Sequence, residues 1–415
     1  MYAVYANAAG EIFEDPELGL LGRTQSNWLV PDSTEMIPLP GGASLVSIPR
    51  FTAVGINTAG SVQPILRDPN DPKQEAIAVA ALLPQGFTRT LLPACVSHSG
   101  ESMPLYGYAA VGFENERFYV AAVQSDAHYK WHPKYFNTAR LMEKVEKMLK
   151  RFPEHPIVQQ IAKCSLEYGC YTAQNFFYQR WEAGIPTYPA CNAGCIGCIS
   201  QSHIAELDSP QQRVGFAATI EDIAEMGAYH LKQARQPIIS FGQGCEGEPT
   251  LNAASLAPAI EKIRQQTPLG IINCNTNAGY TTGVEQMVDA GLNAMRVTIF
   301  SAQENCYSYY HQPRGYVLAD VIRSIDYAKK YKVKVSLNLL VFPGFTDRYS
   351  ETAALIELVK AHGIDMIQLR NLNLDPDVLG QGLPMEEGEP LSIPAMIRHF
   401  EEALPQVKIG SYTHY

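Results

Sequence analysis

The chain predicts an α/β architecture: a parallel sheet with outer helices, closed or partly closed as a barrel, preceded by a β-rich N-terminal domain and a helical connector. Three observations point there. From residue 185 to 370, short apolar runs alternate six times with helical segments, which implies parallel strands with helices outside. Before residue 125 the chain holds short apolar or alternating runs separated by Pro, Gly and Asp. Where the first of the alternating strands ends, three cysteines crowd into one loop, Cys191-Asn192-Ala193-Gly194-Cys195-Ile196-Gly197-Cys198. A chain of 415 residues, 46% hydrophobic and 18% charged, buries a large core and holds one big domain plus a smaller one.

Composition narrows the function. No apolar run approaches membrane-spanning length, and Met1-Tyr2-Ala3-Val4-Tyr5 lacks the basic-then-apolar layout of a signal peptide. A net charge of −10 argues against broad nucleic-acid binding. Nine cysteines, odd in number and without disulfide-framework spacing, predict a reducing, cytoplasmic setting.

In order along the chain, 1–125 reads as a β-rich domain. Ala43–Ile48, Glu75–Leu83 and Phe87–Leu92 are strand-like, and Tyr106–Phe113 pairs with Arg117–Gln124 across a turn at Glu114-Asn115-Glu116. Cys95, His98, His128 and His132 are scattered singly and read as structural or merely exposed. Residues 126–182 form the connector. Leu141, Val145, Met148 and Leu149 share one helical face, and a second helix runs from Ile157 to about Tyr168. The aromatic run Tyr171–Trp181 reads as packing between domains.

From 183 to 375 the predicted strands are Ile185–Ala190, Pro237–Phe241, Gly270–Asn275, Ala294–Phe300, Val333–Phe342 and Asp365–Arg370. Helices near Gln211–Arg235, Leu256–Gln266, Thr281–Ala290, Val317–Tyr331 and Ser350–His362 separate them. Residues 376–415 add a helix, Pro394–Leu404, and a strand near Val407–Tyr412. In such barrels chemistry gathers at the carboxyl ends of the strands.

The motifs fall at those ends. Thiolate is the ligand that Fe–S clusters and zinc prefer, and three ligands from one loop leave a position open for chemistry. A structural zinc closed by His203 is the competing reading, although zinc ribbons bring two separated ligand pairs and no second pair is present. The second strand ends in Phe241-Gly242-Gln243-Gly244-Cys245-Glu246-Gly247-Glu248-Pro249, and the third in Asn273-Cys274-Asn275-Thr276-Asn277. Such polar residues are costly to bury without partners. Tyr309–Gly315 reads as a loop that brings His311 and Arg314 to the rim.

CxxxCxxC at the first strand end, with these motifs behind it, resembles the radical S-adenosylmethionine (radical SAM) superfamily over about residues 183–375. The resemblance implies a TIM-like (β/α)6-type barrel in which Cys191, Cys195 and Cys198 ligate a [4Fe–4S] cluster. Its open iron would take S-adenosylmethionine, and reductive cleavage would give a 5′-deoxyadenosyl radical that abstracts a hydrogen atom from substrate. Gly247, Glu248 and Pro249 look like the motif that holds the cofactor's amino group. Thr276, Asn277, Arg296, Thr298, Ser301, Asn338 and Leu369 fall where the family contacts the rest of the cofactor. Gly197 stands where the family usually has an aromatic residue, which puts adenine recognition in doubt.

The resemblance also implies a reducing partner such as flavodoxin or ferredoxin. No cysteine follows Cys306, so C-terminal auxiliary clusters cannot be built, which favours a small metabolite over a peptide as substrate. Cys245, Cys274 and Cys306 lie at or beyond successive strand ends. They are core residues, or else hydrogen-atom donors or ligands of a further metal.

Overall fold

The structure, a computed structural model, describes residues 1–69, 71–98, 100, 102–126, 129–204, 207–384 and 389–411. Seven parallel strands follow one another in sequence order across a curled, open sheet: Arg180–Gly184, Arg235–Phe241, Ile271–Thr276, Ala294–Ile299, Lys334–Val341, Met366–Asn371 and Lys408–Gly410. The first and last strands do not pair, so the barrel is a half-barrel.

Pairing register divides each strand into two faces. Ser240 stands beside Asn273, Asn275 beside Arg296, Arg296 beside Ser336, and Thr298 beside Asn338, which stands beside Gln368. Polar residues therefore line one face. The intervening residues, among them Ile239, Ile272, Val297, Leu337 and Ile367, join the main core under the helices.

Several sequence expectations shift. The first strand is Arg180–Gly184 rather than Ile185–Ala190. Ile185 still donates its N–H to the Ser240 carbonyl at 3.0 Å, but Pro186 and Pro189 have no N–H to continue the ladder. The aromatic run forms the helix Tyr171–Tyr178, and Gln179 in the left-handed region (φ 53°) turns the chain directly into that strand. The next helix spans only Ile220–Gln233, because Thr219 and Asp222 form a capping box that starts it there. Tyr309, Tyr310 and His311 belong to a helix, Glu304–His311, not to a loop. Lys408–Gly410 adds a seventh parallel strand, while Tyr412 lies outside the described residues.

In the N-terminal region, Val111–Glu114 and Arg117–Gln124 form the expected hairpin, with Asn115 and Glu116 both at positive φ as a tight turn requires. Of the scattered residues, Cys95 contacts the Tyr106 hydroxyl, His98 meets Thr52, and His132 caps a short 3-10 turn. His128 lies outside the described residues.

This region docks on the end of the sixth parallel strand. The fully buried Arg89 donates to the Tyr106 and Tyr108 carbonyls at 3.2 and 3.0 Å and to the Leu372 carbonyl at 2.6 Å. Asn371 accepts from the Arg89 N–H and donates to the Phe87 carbonyl. Burial lowers the Arg89 pKa to about 10, so it stays charged at neutral pH. Replacing Arg89 by Met removes the donor from two buried carbonyls and one partly buried one, at about 1–3 kcal/mol for each buried group. Arg89→Met should therefore lower the denaturation midpoint and speed amide exchange at Tyr106, whose N–H bonds the Asn373 carbonyl. Unchanged exchange there would show that Arg89 does not hold the joint.

Candidate active site at the rim of the parallel sheet

The cysteine loop is fixed by backbone on its far side. Gly194 donates to the His311 carbonyl at 3.0 Å, Ile196 to the Tyr310 carbonyl at 3.0 Å, and Arg314 to the Asn192 carbonyl at 2.8 Å. Ala193 forms a bridge with Pro313. The loop is thus pinned to the C-terminal end of the helix Glu304–His311, which the sequence reading did not contain. Gly197 has its own reason: a Cβ there would sit 2.8 Å from the Tyr310 hydroxyl and 3.2 Å from Leu372. An aromatic side chain at 197 has no room because Tyr310, stacked on Phe300, occupies that space.

All three thiols are free and partly buried. Burial first, then the neighbouring thiols Cys191 and Cys198, pushes the Cys195 thiol up. Cys191 is raised by burial and then by the Glu248 carboxylate. Each sulfur has a positive or polar neighbour. Cys191 faces the Ala193 N–H, Cys195 lies 3.4 Å from His311 Nδ1, and Cys198 accepts from Arg213 Nη2 at 3.3 Å. N–H donors aimed at sulfur suit thiolates, the form that ligates metal.

Among the described residues, no three His, Cys, Asp or Glu side chains stand close enough to hold one metal ion. Thiolates are the donors that Fe–S clusters take. The donor set fits a cluster. His203 instead has its pKa lowered by burial first and then by the charges of Arg314 and Arg213.

Two buried carboxylates organise the facing side. Glu248 Oε1 accepts from the Thr250 N–H and hydroxyl and from Thr276 Oγ1 at 2.6 Å, while Oε2 accepts from the Asn277 N–H at 2.8 Å. Asn277 in turn donates its side-chain amide to Asn192 Oδ1 at 2.7 Å. Thr276 and Asn277 therefore brace Glu248 and the cysteine loop against each other. Gly247 presses against the chain that enters the loop. Its Cβ would fall 2.0 Å from the Ala190 carbonyl oxygen, and the Gly247 and Glu248 N–H groups bond the Tyr188 and Ala190 carbonyls.

Glu246, one residue earlier, accepts from the Gly242 and Gln243 N–H groups and from Thr187 and Tyr188. Gly242 itself sits at φ 78° with a Cβ position only 1.7 Å from the Asn275 carbonyl oxygen, so only glycine fits.

Below the rim, the polar face is tied by a buried ion pair. Arg296 grips Glu182 through Nη1–Oε1 at 2.6 Å and Nη2–Oε2 at 3.1 Å, and Ser240 donates to the same carboxylate. Burial, the largest influence, pushes the Glu182 pKa up, but Arg296, Ser240 and Arg370 together hold it below the usual range. Glu182 lay in the connector of the sequence reading and was not a candidate there. Asn273 Oδ1, Asn338 Oδ1 and Arg296 Nε are buried without a hydrogen-bond partner, and all three residues share the polar face with Thr298.

Other candidates face elsewhere. Cys274 and Leu369 alternate with the polar residues and lie in the core under the helices, so neither meets a ligand in the half-barrel. Cys245 joins that core beside Cys164 of the connector. Cys306 packs with Phe300, Phe342 and Phe345. Ser301 donates to Glu351 at 2.6 Å and accepts from the Gln303 N–H, so its hydroxyl is already engaged within the protein. A cavity of about 940 Å³ opens beside the cysteine loop, bounded by Ile196, His203 and Tyr309 on the barrel side and by Arg50 and Ser102 on the N-terminal side.

Residues 185–356 match the model of the Radical SAM superfamily. No curated protein matches the chain. Among solved structures, one of native anSMEcpe with bound AdoMet is 18% identical, over 50% of this chain and 54% of that one, with a TM-score of 0.38. The chain thus spans about half of that protein's length. The FeFe-hydrogenase maturase HydG from Carboxydothermus hydrogenoformans is 17% identical, over 65% and 68% of the two chains, with a TM-score of 0.38. A radical SAM methyltransferase from Sphaerobacter thermophilus is 15% identical, over 56% and 66%, with a TM-score of 0.39.

The rim has a pH signature. Burial outweighs the backbone donors and raises the Glu246 pKa from 4.5 to about 7, and the Thr187 hydroxyl can turn to accept the carboxyl proton. The folded state binds this proton more tightly than the unfolded chain. The stability it contributes is full below pH 4.5 and is lost as pH rises through about 7. Asp347, also raised to about 7, contributes in the same window, so the comparison must be with a variant. Glu246→Gln should show a smaller loss of stability than the parent between pH 5 and 8, measured by denaturant titration. Equal slopes would remove Glu246 from the titrating set.

Proposed function

We propose that the chain, whose residues 185–356 match the radical SAM model, is an enzyme of that superfamily in which Cys191, Cys195 and Cys198 hold a [4Fe–4S] cluster at the rim of the half-barrel. Superfamily membership supports cleavage of S-adenosylmethionine in general. When bound, the cluster supplies the electron that cleaves this sulfonium to methionine and a 5′-deoxyadenosyl radical. The observation that carries the reading is the three-thiol loop braced through Asn192 and Asn277 to a buried carboxylate, Glu248.

The chain's own residues then have distinct tasks. Glu248, whose Oε2 accepts one protein donor and retains acceptor capacity, would accept from the cofactor's ammonium group. Gly247 lets the second strand's exit lie against the loop, which sets the distance between carboxylate and thiols. Arg296, Thr298, Asn273 and Asn338 present donors and acceptors on the polar face, where unpaired buried atoms favour a ligand that satisfies them. The N-terminal region covers the end of the sixth strand and limits water entry.

In this reading a small metabolite is favoured over a peptide as substrate. A one-electron donor such as flavodoxin or ferredoxin supplies the cluster. Among the described residues, no helix is long and apolar enough to cross a membrane.

Anaerobic purification followed by iron, sulfide and zinc analysis tests the assignment. About four irons and four sulfides per chain are expected. Cys191→Ala, Cys195→Ala and Cys198→Ala should each lose the cluster and the formation of 5′-deoxyadenosine together. A colourless protein with one zinc, or full activity in Cys195→Ala, would sink the proposal in favour of a structural Cys₃ or Cys₃His zinc site.

A further inference from the structure

His311 closes the helix Glu304–His311 and is buried, 1% exposed, between the end of the fourth parallel strand and the cysteine loop. Its two ring nitrogens have different partners. Nε2 lies 3.2 Å from the backbone nitrogen of Phe300, and Nδ1 lies 3.4 Å from Cys195 Sγ. A backbone N–H can only donate, so Nε2 must accept and the ring proton sits on Nδ1. The imidazole therefore offers an N–H to the Cys195 sulfur. Tyr307 and Tyr310 pack at 4.4 and 5.0 Å between ring centroids and hold the ring's plane.

We infer that His311 is a positioning residue that sets the reduction potential of the cluster held at Cys195, through a neutral N–H···S hydrogen bond whose direction the Phe300 N–H fixes. The inference rests on the cluster reading above. Hydrogen bonds to ligating sulfur stabilise the more negative, reduced state and so raise the potential. The other two sulfurs are dressed differently. Arg213, which donates to Cys198, also bonds Ser200, Gln201 and the Pro189 carbonyl and is half-exposed. Cys191 faces only a backbone N–H. His311 is thus the buried side-chain donor among the three. Its main chain serves the same end, because its carbonyl accepts the Gly194 N–H at 3.0 Å. One residue fixes both the backbone of the loop and the environment of its middle sulfur.

The test compares His311→Phe, His311→Asn and His311→Gln by EPR-monitored redox titration of the anaerobically reconstituted, full-length protein without S-adenosylmethionine. Asn carries its amide nitrogen on Cγ, as Nδ1 is carried, whereas Gln carries it one atom further, at the place of Nε2. His311→Phe, which keeps the ring and removes the donor, should shift the oxidised-to-reduced ratio at a fixed potential at least tenfold toward oxidised. For a one-electron couple that is a fall of about 59 mV. His311→Asn should recover most of the shift, and His311→Gln should not.

A potential in His311→Phe within twofold of the parent ratio would overturn the inference, as would equal potentials in the Asn and Gln variants. If His311→Phe cannot retain iron, the Asn–Gln difference alone decides. A parent protein that takes up no iron would overturn the cluster reading itself, and this inference with it.

Discussion

Two carboxylates buried side by side at the end of the second strand carry the geometry of the rim. A buried carboxylate is tolerable only when donors replace its water, and Glu246 and Glu248 together draw on backbone N–H groups from residues 187, 188, 242, 243, 250 and 277. Those donors come from three different strand exits. Glu246 joins the exits of the first and second strands and Glu248 those of the second and third, so the pair is satisfied only if all three exits approach together. The glycines at 242 and 247 follow from the same constraint, since both lie where another backbone passes within about a bond length of their missing Cβ. The cysteine loop hangs from this junction through Asn277 and Asn192.

Much of this was legible in the sequence, and the reasons are local. Alternating strands and helices announce themselves through apolar periodicity, and the three thiols announce themselves through spacing. The parallel strands from Arg235 to Asn371 match their expected spans within about two residues because their helix-facing sides are mostly apolar. The first strand was missed because its register puts Glu182 on the polar face and Arg180 at its start. It therefore reads as polar, while the apolar segment after it is broken by two prolines.

At the site, sequence and structure differ for one physical reason: polarity marks a strand end but not the face that each of its residues joins. Asn273-Cys274-Asn275-Thr276 looked like a single polar cluster. In the sheet, Asn273 and Asn275 enter the half-barrel and Cys274 joins the core under the helices, whereas Thr276, the last residue of its strand, donates to Glu248 at the rim. Leu369 fails for the same reason, with Gln368 and Arg370 on the face it leaves. Contacts between residues more than a hundred positions apart, such as Glu182 with Arg296 and Cys195 with His311, carry no local signal at all. They exist because parallel strands bring distant segments to one edge.

That same edge explains why an N-terminal β-region belongs with this half-barrel. An open sheet of seven strands leaves its polar face and strand ends exposed on one side, and a polar interior open to water would weaken every electrostatic contact within it. Arg89, Gln25 and Met103 reach across to Leu372, Pro343 and Asp375, all at or just beyond carboxyl ends of the fifth and sixth strands. The contacts are to main-chain carbonyls and a carboxylate, which fixes position without demanding a particular side-chain surface. What stays open is the cavity between Arg50 and Ser102 on one side and Ile196 and Tyr309 on the other. Ile196 is one of the two residues between the second and third thiols of the loop, so this cavity leads to the cysteines.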